Sequence, residues 1–436
     1  MNILVVGSGG REHTISWKLA QSPLIEKVVC VPGNVGTAKE PKCKNIVSDA
    51  SLDSYIAIAQ KEQCTLAVIG PEDPLAEGLS DIFWNAGIPC IGPKKAGAQL
   101  EASKDLAKQF MQKYGVACPQ SKTFTDKNTA DAYIDQHGAP IVIKADGLAA
   151  GKGVVVAATV AEAHAAVTDI MESGRVGDAG KKLVIEDYLE GDEISVLAAV
   201  SVTPEYAKQG KATIVPFLPA RDHKRLMDGA KGPNTGGMGA ISPLSDVTPA
   251  IMEQFTTDIL QPTLKGLIAE QYDYRGFIFF GVMLTKSGPK LLEYNVRLGD
   301  PETQAVLPLM DFDLVTLCKA IIDGTLADFT CTWKKGFQVA PVAVSGGYPG
   351  AYEKGKPISV NSADWDADTH LFIAGAVEKD NTLVTSGGRV LACSAYGDTF
   401  DQAWSNAYKA LKTISFDGMF YRKDIGLPGA ATSPSL

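Results

Sequence analysis

Lys144-Ala145-Asp146-Gly147-Leu148-Ala149-Ala150-Gly151-Lys152-Gly153 lies between two runs rich in valine and isoleucine, 141–145 and 154–157, and the fold turns on how it is read. A Walker loop needs four residues between its glycines and a serine or threonine after its lysine. Here three residues separate Gly147 from Gly151, and Gly153 follows Lys152, so no phosphate-loop helix is expected. The segment reads instead as a mobile loop joining antiparallel strands. Such a loop could fold over a triphosphate, with Lys144 reaching a phosphate from the strand and Gly151, Lys152 and Gly153 offering donors beside it. An ordinary glycine-rich hairpin has the same signature.

Working outward, strand-like runs at 141–145, 154–157 and 183–187, with an alanine-rich helix at 160–173, form a small α+β unit that starts near Pro119. The third run passes into the acidic connector Glu186-Asp187-Tyr188-Leu189-Glu190-Gly191-Asp192-Glu193. A planar base could lie on that strand while the connector reads its edge and Glu193 accepts from ribose hydroxyls. Acidic turn residues can equally be just solvated. Beyond Glu193 the runs lengthen to 194–202, 276–285 and 290–296 and bracket a long helix after Pro249, which predicts a separate antiparallel core.

In Leu291-Leu292-Glu293-Tyr294-Asn295-Val296-Arg297, a two-residue period puts Glu293, Asn295 and Arg297 on one face and Leu292, Tyr294 and Val296 toward the core. Two adjacent hard oxygen donors suit magnesium, which takes octahedral oxygen at roughly 2.1 Å and commonly shares its shell with nucleotide phosphates. Arg297 would fork onto a nearby carboxylate. A half-exposed strand with one polar face is the plainer alternative. Pro233-Asn234-Thr235-Gly236-Gly237-Met238-Gly239-Ala240 offers backbone amides that could line an anionic substrate, and Asp222-His223-Lys224-Arg225 has the size of a local anion pocket.

The first hundred residues alternate strand and helix, with strands at 2–7, 27–31, 66–70 and 88–91 and a helix at 11–22, which implies a doubly wound parallel sheet. Gly7-Ser8-Gly9-Gly10 invites a dinucleotide reading, but Glu12 stands where that motif needs glycine or alanine. Free amides at Gly9, Gly10 and Arg11 would still suit an anion, or the turn is only a tight turn with a surface arginine. A further unit begins near Gln338, with strands at 339–345, 371–376 and 390–395, and the tail 427–436 should be flexible.

With 436 residues, 45% hydrophobic and 43 glycines, the chain is globular and long enough for about three domains. A net charge of −9 without basic runs disfavours nucleic acid. The eight dispersed cysteines form no zinc or disulfide pattern, and neither a signal peptide nor a membrane span is expected. A cytoplasmic protein with small anionic ligands is expected, either a monomer or a small homo-oligomer.

In order, GSGGREH, VIGPEDPL, KADGLAAGKGVVV, VIEDYLEGDE, DHKR, GPNTGGMGA, LLEYNVRLGDPETQ, GGYPG, TSGGRVL and RKDIG resemble the phosphoribosylamine–glycine ligase family of ATP-grasp enzymes, from residue 2 to about 426. The resemblance implies an α/β plus α+β fold. Its parts are an N-terminal doubly wound domain at 1–102, a two-lobed ATP-grasp clamp at 103–330 with a lid at about 119–192, and a small C-terminal α+β domain at 331–426. It implies ligation of glycine to 5-phosphoribosylamine with ATP through glycyl phosphate, a step of de novo purine biosynthesis, with magnesium or manganese as cofactor. It also implies site roles. Lys104 and Lys144 contact phosphate, Glu186, Asp187, Tyr188 and Leu189 hold adenine, and Glu193 takes the ribose. Glu293 and Asn295 are the metal ligands, and Lys144, Asp222 and Arg297 are the catalytic residues. Gly9, Gly10, Arg11, Glu12, Asp222, His223, Lys224, Gly237, Arg297, Gly299 and Asp300 are expected around the substrates. Ala220 and Arg221 stand where relatives often carry serine and glutamine, which bears on the contacts around Asp222.

Overall fold

In a computed structural model of the chain, residues 1–148, 153–174 and 177–430 are described. Asn2–Gly7 is buried through its middle, and only a strand flanked by others on both sides can hide so many apolar residues. It is the centre of a five-stranded parallel sheet in the order Cys43–Asn45, Lys27–Pro32, Asn2–Gly7, Cys64–Ile69, Cys90–Ile91. The helix Gly10–Ala20 starts directly after the central strand, so the glycine turn sits at the carboxyl edge of the sheet.

Two helices, Lys95–Ala102 and Lys104–Tyr114, lead out of this domain. Ser103 separates them and caps the second, its side chain accepting from Leu106 N at 3.1 Å. A four-stranded antiparallel sheet follows, in the order Ser121–Phe124, Leu183–Asp187, Ile141–Ala145, Val154–Ala157. Together with the helices Lys127–His137 and Val160–Glu172 it encloses its own small core of residues such as Phe124, Ile143, Val167 and Ile185. A second antiparallel sheet orders Thr213–Pro216, Asp192–Val202, Tyr274–Thr285 and Gly288–Asn295. The long helix expected after Pro249 forms in three pieces, Pro249–Phe255, a π turn at Thr256–Leu260, and Gln261–Ala269.

A third antiparallel sheet runs Arg221–Asp222, Gly239–Ser242, Phe337–Val344, Arg389–Gly397, Thr369–Ile373, packed against the helix Phe400–Leu411. Its first two strands come from the middle of the chain. The loop between Asp222 and Gly239 is therefore pinned where the clamp meets the C-terminal part. Among the described residues no helix is long and apolar enough to cross a membrane.

Candidate active site

A cleft opens between the two four-stranded sheets. An inner chamber of about 370 Å³ adjoins an outer one of about 620 Å³, and Lys144, Glu186, Leu292, Glu293 and Asn295 line both.

The floor is the strand Gly288–Asn295. Gly281 pairs with Glu293 but Val282 pairs with Leu291, so Leu292 is the extra residue of a bulge. Leu291 is consequently fully buried, while Leu292 turns onto the cleft floor. This corrects the expectation that Leu292 faces the core. Its carbonyl accepts from Lys108 at 3.2 Å and Lys144 at 3.5 Å. Beyond the bulge the period resumes, with Tyr294 and Val296 buried and Glu293, Asn295 and Arg297 on the cleft side.

Among the described residues no donor bonds the Glu293 carboxylate. Burial works against its charge, but Lys224, Lys144, Lys104 and Arg297 outweigh that and hold its pKa below the ordinary range. Asn295 Oδ1 accepts from Arg297 Nη2 at 2.7 Å. The Arg297 fork, expected to grip a nearby carboxylate, is held by two carboxylates of the protein itself. Nε donates to Glu72 at 3.1 Å, Nη2 to Glu101 at 2.6 Å and Nη1 to the Leu298 carbonyl at 3.4 Å. Glu101 also accepts from Val296 N at 2.7 Å, and burial lifts its carboxyl to about 7.

On the opposite wall Lys144 lies 3.0 Å from Glu186 Oε1, and Lys108 lies 3.0 Å from Oε2. Burial disfavours the Lys144 charge, but Glu186 and Glu293 more than restore it, so its pKa is raised. Among the described residues no donor is aligned on Glu186 Oε1, although it is buried. Lys104 donates to the Gly147 carbonyl at 2.8 Å, tying the glycine loop to the helix start. Gly153 accepts at its carbonyl from Ala145 N at 2.7 Å, whereas Gly151 and Lys152 lie outside the described residues. Asp187, Tyr188, Leu189 and Glu193 line the mouth of the outer chamber, where Lys224 pairs with Glu193.

At the inner end the glycine turn differs from its expected form. Two of its amides are already taken: Gly9 N donates to Glu12 at 2.7 Å and Arg11 N to Asp300 at 3.3 Å. Glu12 is folded under the turn against Gly70, where a Cβ would fall 2.1 Å from its Oε1, so it shapes the turn and does not line the cleft. Gly10 is packed on Gln304. Arg11 and Asp300 do line the inner chamber, and so does Arg389 from the C-terminal sheet. Arg389 donates to the carbonyls of Gly236 and Asp300 at 2.6 and 2.7 Å. Sequence reasoning quoted Arg389 within TSGGRVL and Glu72 within VIGPEDPL without a role, and it missed Glu101 and Lys108 because nothing local marks them.

Asp222, Lys224, Gly299 and Asp300 share the outer chamber, but His223 does not. Its buried ring bridges Gly239 O at 3.0 Å and Gly426 N at 2.9 Å, and burial lowers its pKa to about 3. It is therefore a neutral structural link, a correction to its expected place at the substrate. Gly237 has φ +113°, and a Cβ there would meet Pro301 at 2.4 Å and Asp222 at 2.6 Å, so only glycine lets the loop pass.

Two facing antiparallel sheets, a lysine pair from one wall and a carboxylate with an amide from the other define an ATP-grasp enzyme. The same architecture occurs in the biotin carboxylase domain of 2-oxoglutarate carboxylase from Hydrogenobacter thermophilus, with a TM-score of 0.73 at 16% identity over 96% of this chain and 91% of that one. The chain belongs to the phosphoribosylglycinamide synthetase family, matching its N domain at residues 1–101, its ATP-grasp (A) domain at 102–303 and its C domain at 338–428. It is 48% identical to the phosphoribosylamine–glycine ligase of Clostridium acetobutylicum over 98% of this chain and 99% of that protein. For the ligase of Neisseria meningitidis the identity is 46%, over 98% of each. The crystal structure of the Thermotoga maritima ligase superimposes with a TM-score of 0.83 at 34% identity, covering 98% of this chain and 100% of that one.

Proposed function

We propose that the protein ligates glycine to 5-phosphoribosylamine using ATP, forming glycinamide ribonucleotide, ADP and phosphate. The observation that carries this reading is one cleft holding Lys104, Lys144, Glu293 and Asn295 in a chain related to the ligases along its whole length.

A carboxylate resists attack by an amine because oxide is a poor leaving group. Transfer of the terminal phosphoryl group of ATP to the glycine carboxylate gives glycyl phosphate. The amine of phosphoribosylamine then forms the C–N bond as phosphate departs. Lys104 and Lys144 suit the phosphates, the Glu186–Leu189 connector the adenine, and Glu193 the ribose. Glu293 offers a carboxylate with no bonded donor among the described residues and Asn295 an amide oxygen, a hard-oxygen pair that fits a divalent cation, magnesium or manganese. A cation held there supplies positive charge to the phosphates. Asn295 Oδ1 accepts from Arg297 with one lone pair and would have the other for that cation. Arg11 and Arg389 stand at the inner end, where the 5-phosphate of the acceptor could be received. The sheet around 119–192, with its separate core, is suited to closing over the cleft and excluding water from the acyl phosphate.

ADP release by the purified protein tests the reading. It should require glycine, phosphoribosylamine and a divalent cation together. ADP release that is independent of glycine, or equally fast with another amino acid, would overturn it.

A further inference from the structure

The C-terminal sheet ends in the edge strand Thr369–Ile373, whose open edge is covered by the helix Gly10–Ala20 of the first domain. The two elements interlock. His13 and Trp17 are four residues apart and share a helix face, while His370 and Phe372 are two apart and share a strand face. The Trp17 ring centre lies 4.5 Å from that of His370 and 5.5 Å from that of Phe372, and His13 meets Phe372 edge-on at 5.5 Å.

Hydrogen bonds fix the register of this contact. Ile373 N donates to His13 Nδ1 at 2.8 Å, and Ile373 O accepts from Asn34 Nδ2 at 2.8 Å. Both backbone polar groups of one C-terminal residue are thus held by side chains of the first domain. A peptide N–H only donates, so Nδ1 is the acceptor and the ring proton sits on Nε2, 3.1 Å from Glu40 Oε1. Asn34 Nδ2 also donates to Ser8 O at 2.8 Å, within the glycine turn. Asn34 therefore bridges the turn that precedes Arg11 to the strand end that leads to Arg389. That strand end touches both. A Cβ on Gly10 would sit 3.7 Å from that of Ala374, and Gly375 N donates to Arg389 O at 2.9 Å.

We propose that His13 and Asn34 are positioning residues for the amine substrate: by clamping Ile373 they dock the C-terminal domain on the glycine turn and hold Arg389 in the inner chamber with Arg11. The proposal rests on the ligase reading above, in which these two guanidiniums receive the 5-phosphate. Neither domain carries the pair alone. Arg389 spends Nη1 on the carbonyls of Gly236 and Asp300, and among the described residues its Nε and Nη2 have no acceptor. A guanidinium forks onto a phosphate only when those donors point at its oxygens, and a shift of about 1 Å spoils the fit. His13 and Asn34 touch no substrate and act through the strand end at Ile373.

Initial rates of ADP release by the full chain give separate KM values for ATP, glycine and phosphoribosylamine. His13→Phe keeps a ring against Phe372 but removes the acceptor of Ile373 N. It should raise the KM for phosphoribosylamine about tenfold, the loss of one charged hydrogen bond, with kcat and the other two KM values within about twofold of wild type. His13→Gln restores an acceptor and should recover most of that loss. In an Arg389→Ala background His13→Phe should add less than about twofold, because the group it positions is gone. Should His13→Phe fail to fold, Trp17→Ala loosens the same contact and is read in the same cycle. Effects that multiply across the two sites, an equal rise in all three KM values, or a glutamine no better than the phenylalanine overturn the proposal. Wild-type ADP release that does not depend on phosphoribosylamine would overturn the ligase reading instead, so the two failures are separable.

Discussion

His223 separates a substrate role from a structural one quantitatively. Its Nδ1 donates to Gly239 O and its Nε2 accepts from Gly426 N, so a second proton on Nε2 would face an N–H group. Burial first, and then repulsion from Arg422, lower the pKa from 6.5 to about 3. The unfolded chain takes up this proton near pH 6.5 and the folded chain only near pH 3, so between them the unfolded state binds more protons. Stability therefore falls as pH falls through that window. From those two values, the loss attributable to this ring is about 2 kcal/mol at pH 5 and approaches about 5 kcal/mol below pH 3. In His223→Gln the amide can serve both partners but does not titrate. Urea unfolding of wild type and variant at about pH 7.5 and about pH 5 should show a pH-induced loss smaller in the variant by about 2 kcal/mol. Parallel losses would refute the assignment. So would a rise of about tenfold or more in the glycine KM of the folded variant, because a ring stapled to Gly426 touches no substrate.

Other substitutions probe the cleft. Glu293→Ala should cut glycine-dependent ADP formation by about 10³-fold or more with an unchanged circular dichroism spectrum, and normal turnover would remove Glu293 from the cation site. Glu101→Ala strips the acceptor from Val296 N and leaves Arg297 undercompensated in a buried place, which should cost about 3 kcal/mol in denaturant unfolding. A shift below about 1 kcal/mol would mean that Glu72 alone suffices. Lys144→Met should raise the KM for ATP about tenfold or more while leaving Glu186 paired with Lys108, and an unaltered KM would argue that Lys144 meets no phosphate.

Much of the architecture could be read locally. The runs at 2–7, 141–145, 154–157 and 183–187 appear as strands because the period of side chains along a strand is a property of a few consecutive residues. The same holds for the pairing of Glu293 and Asn295 on one face, since two residues apart on a strand means the same side. Leu292 defeated that rule because a bulge is a mismatch between two strands, and its cause lies in the partner at Gly281 and Val282.

The amino-acid order by itself determined which segments become strands and helices, which glycines permit tight approach, and which oxygens share a face. Tertiary structure alone decided how the charges are partnered. Arg297 finds its carboxylates 225 and 196 residues away, Arg389 reaches the cleft from the last sheet, and His223 is claimed by Gly426 near the far end. Secondary structure is set by neighbours along the chain, whereas a buried charge takes whichever counter-charge folding brings within a few ångströms.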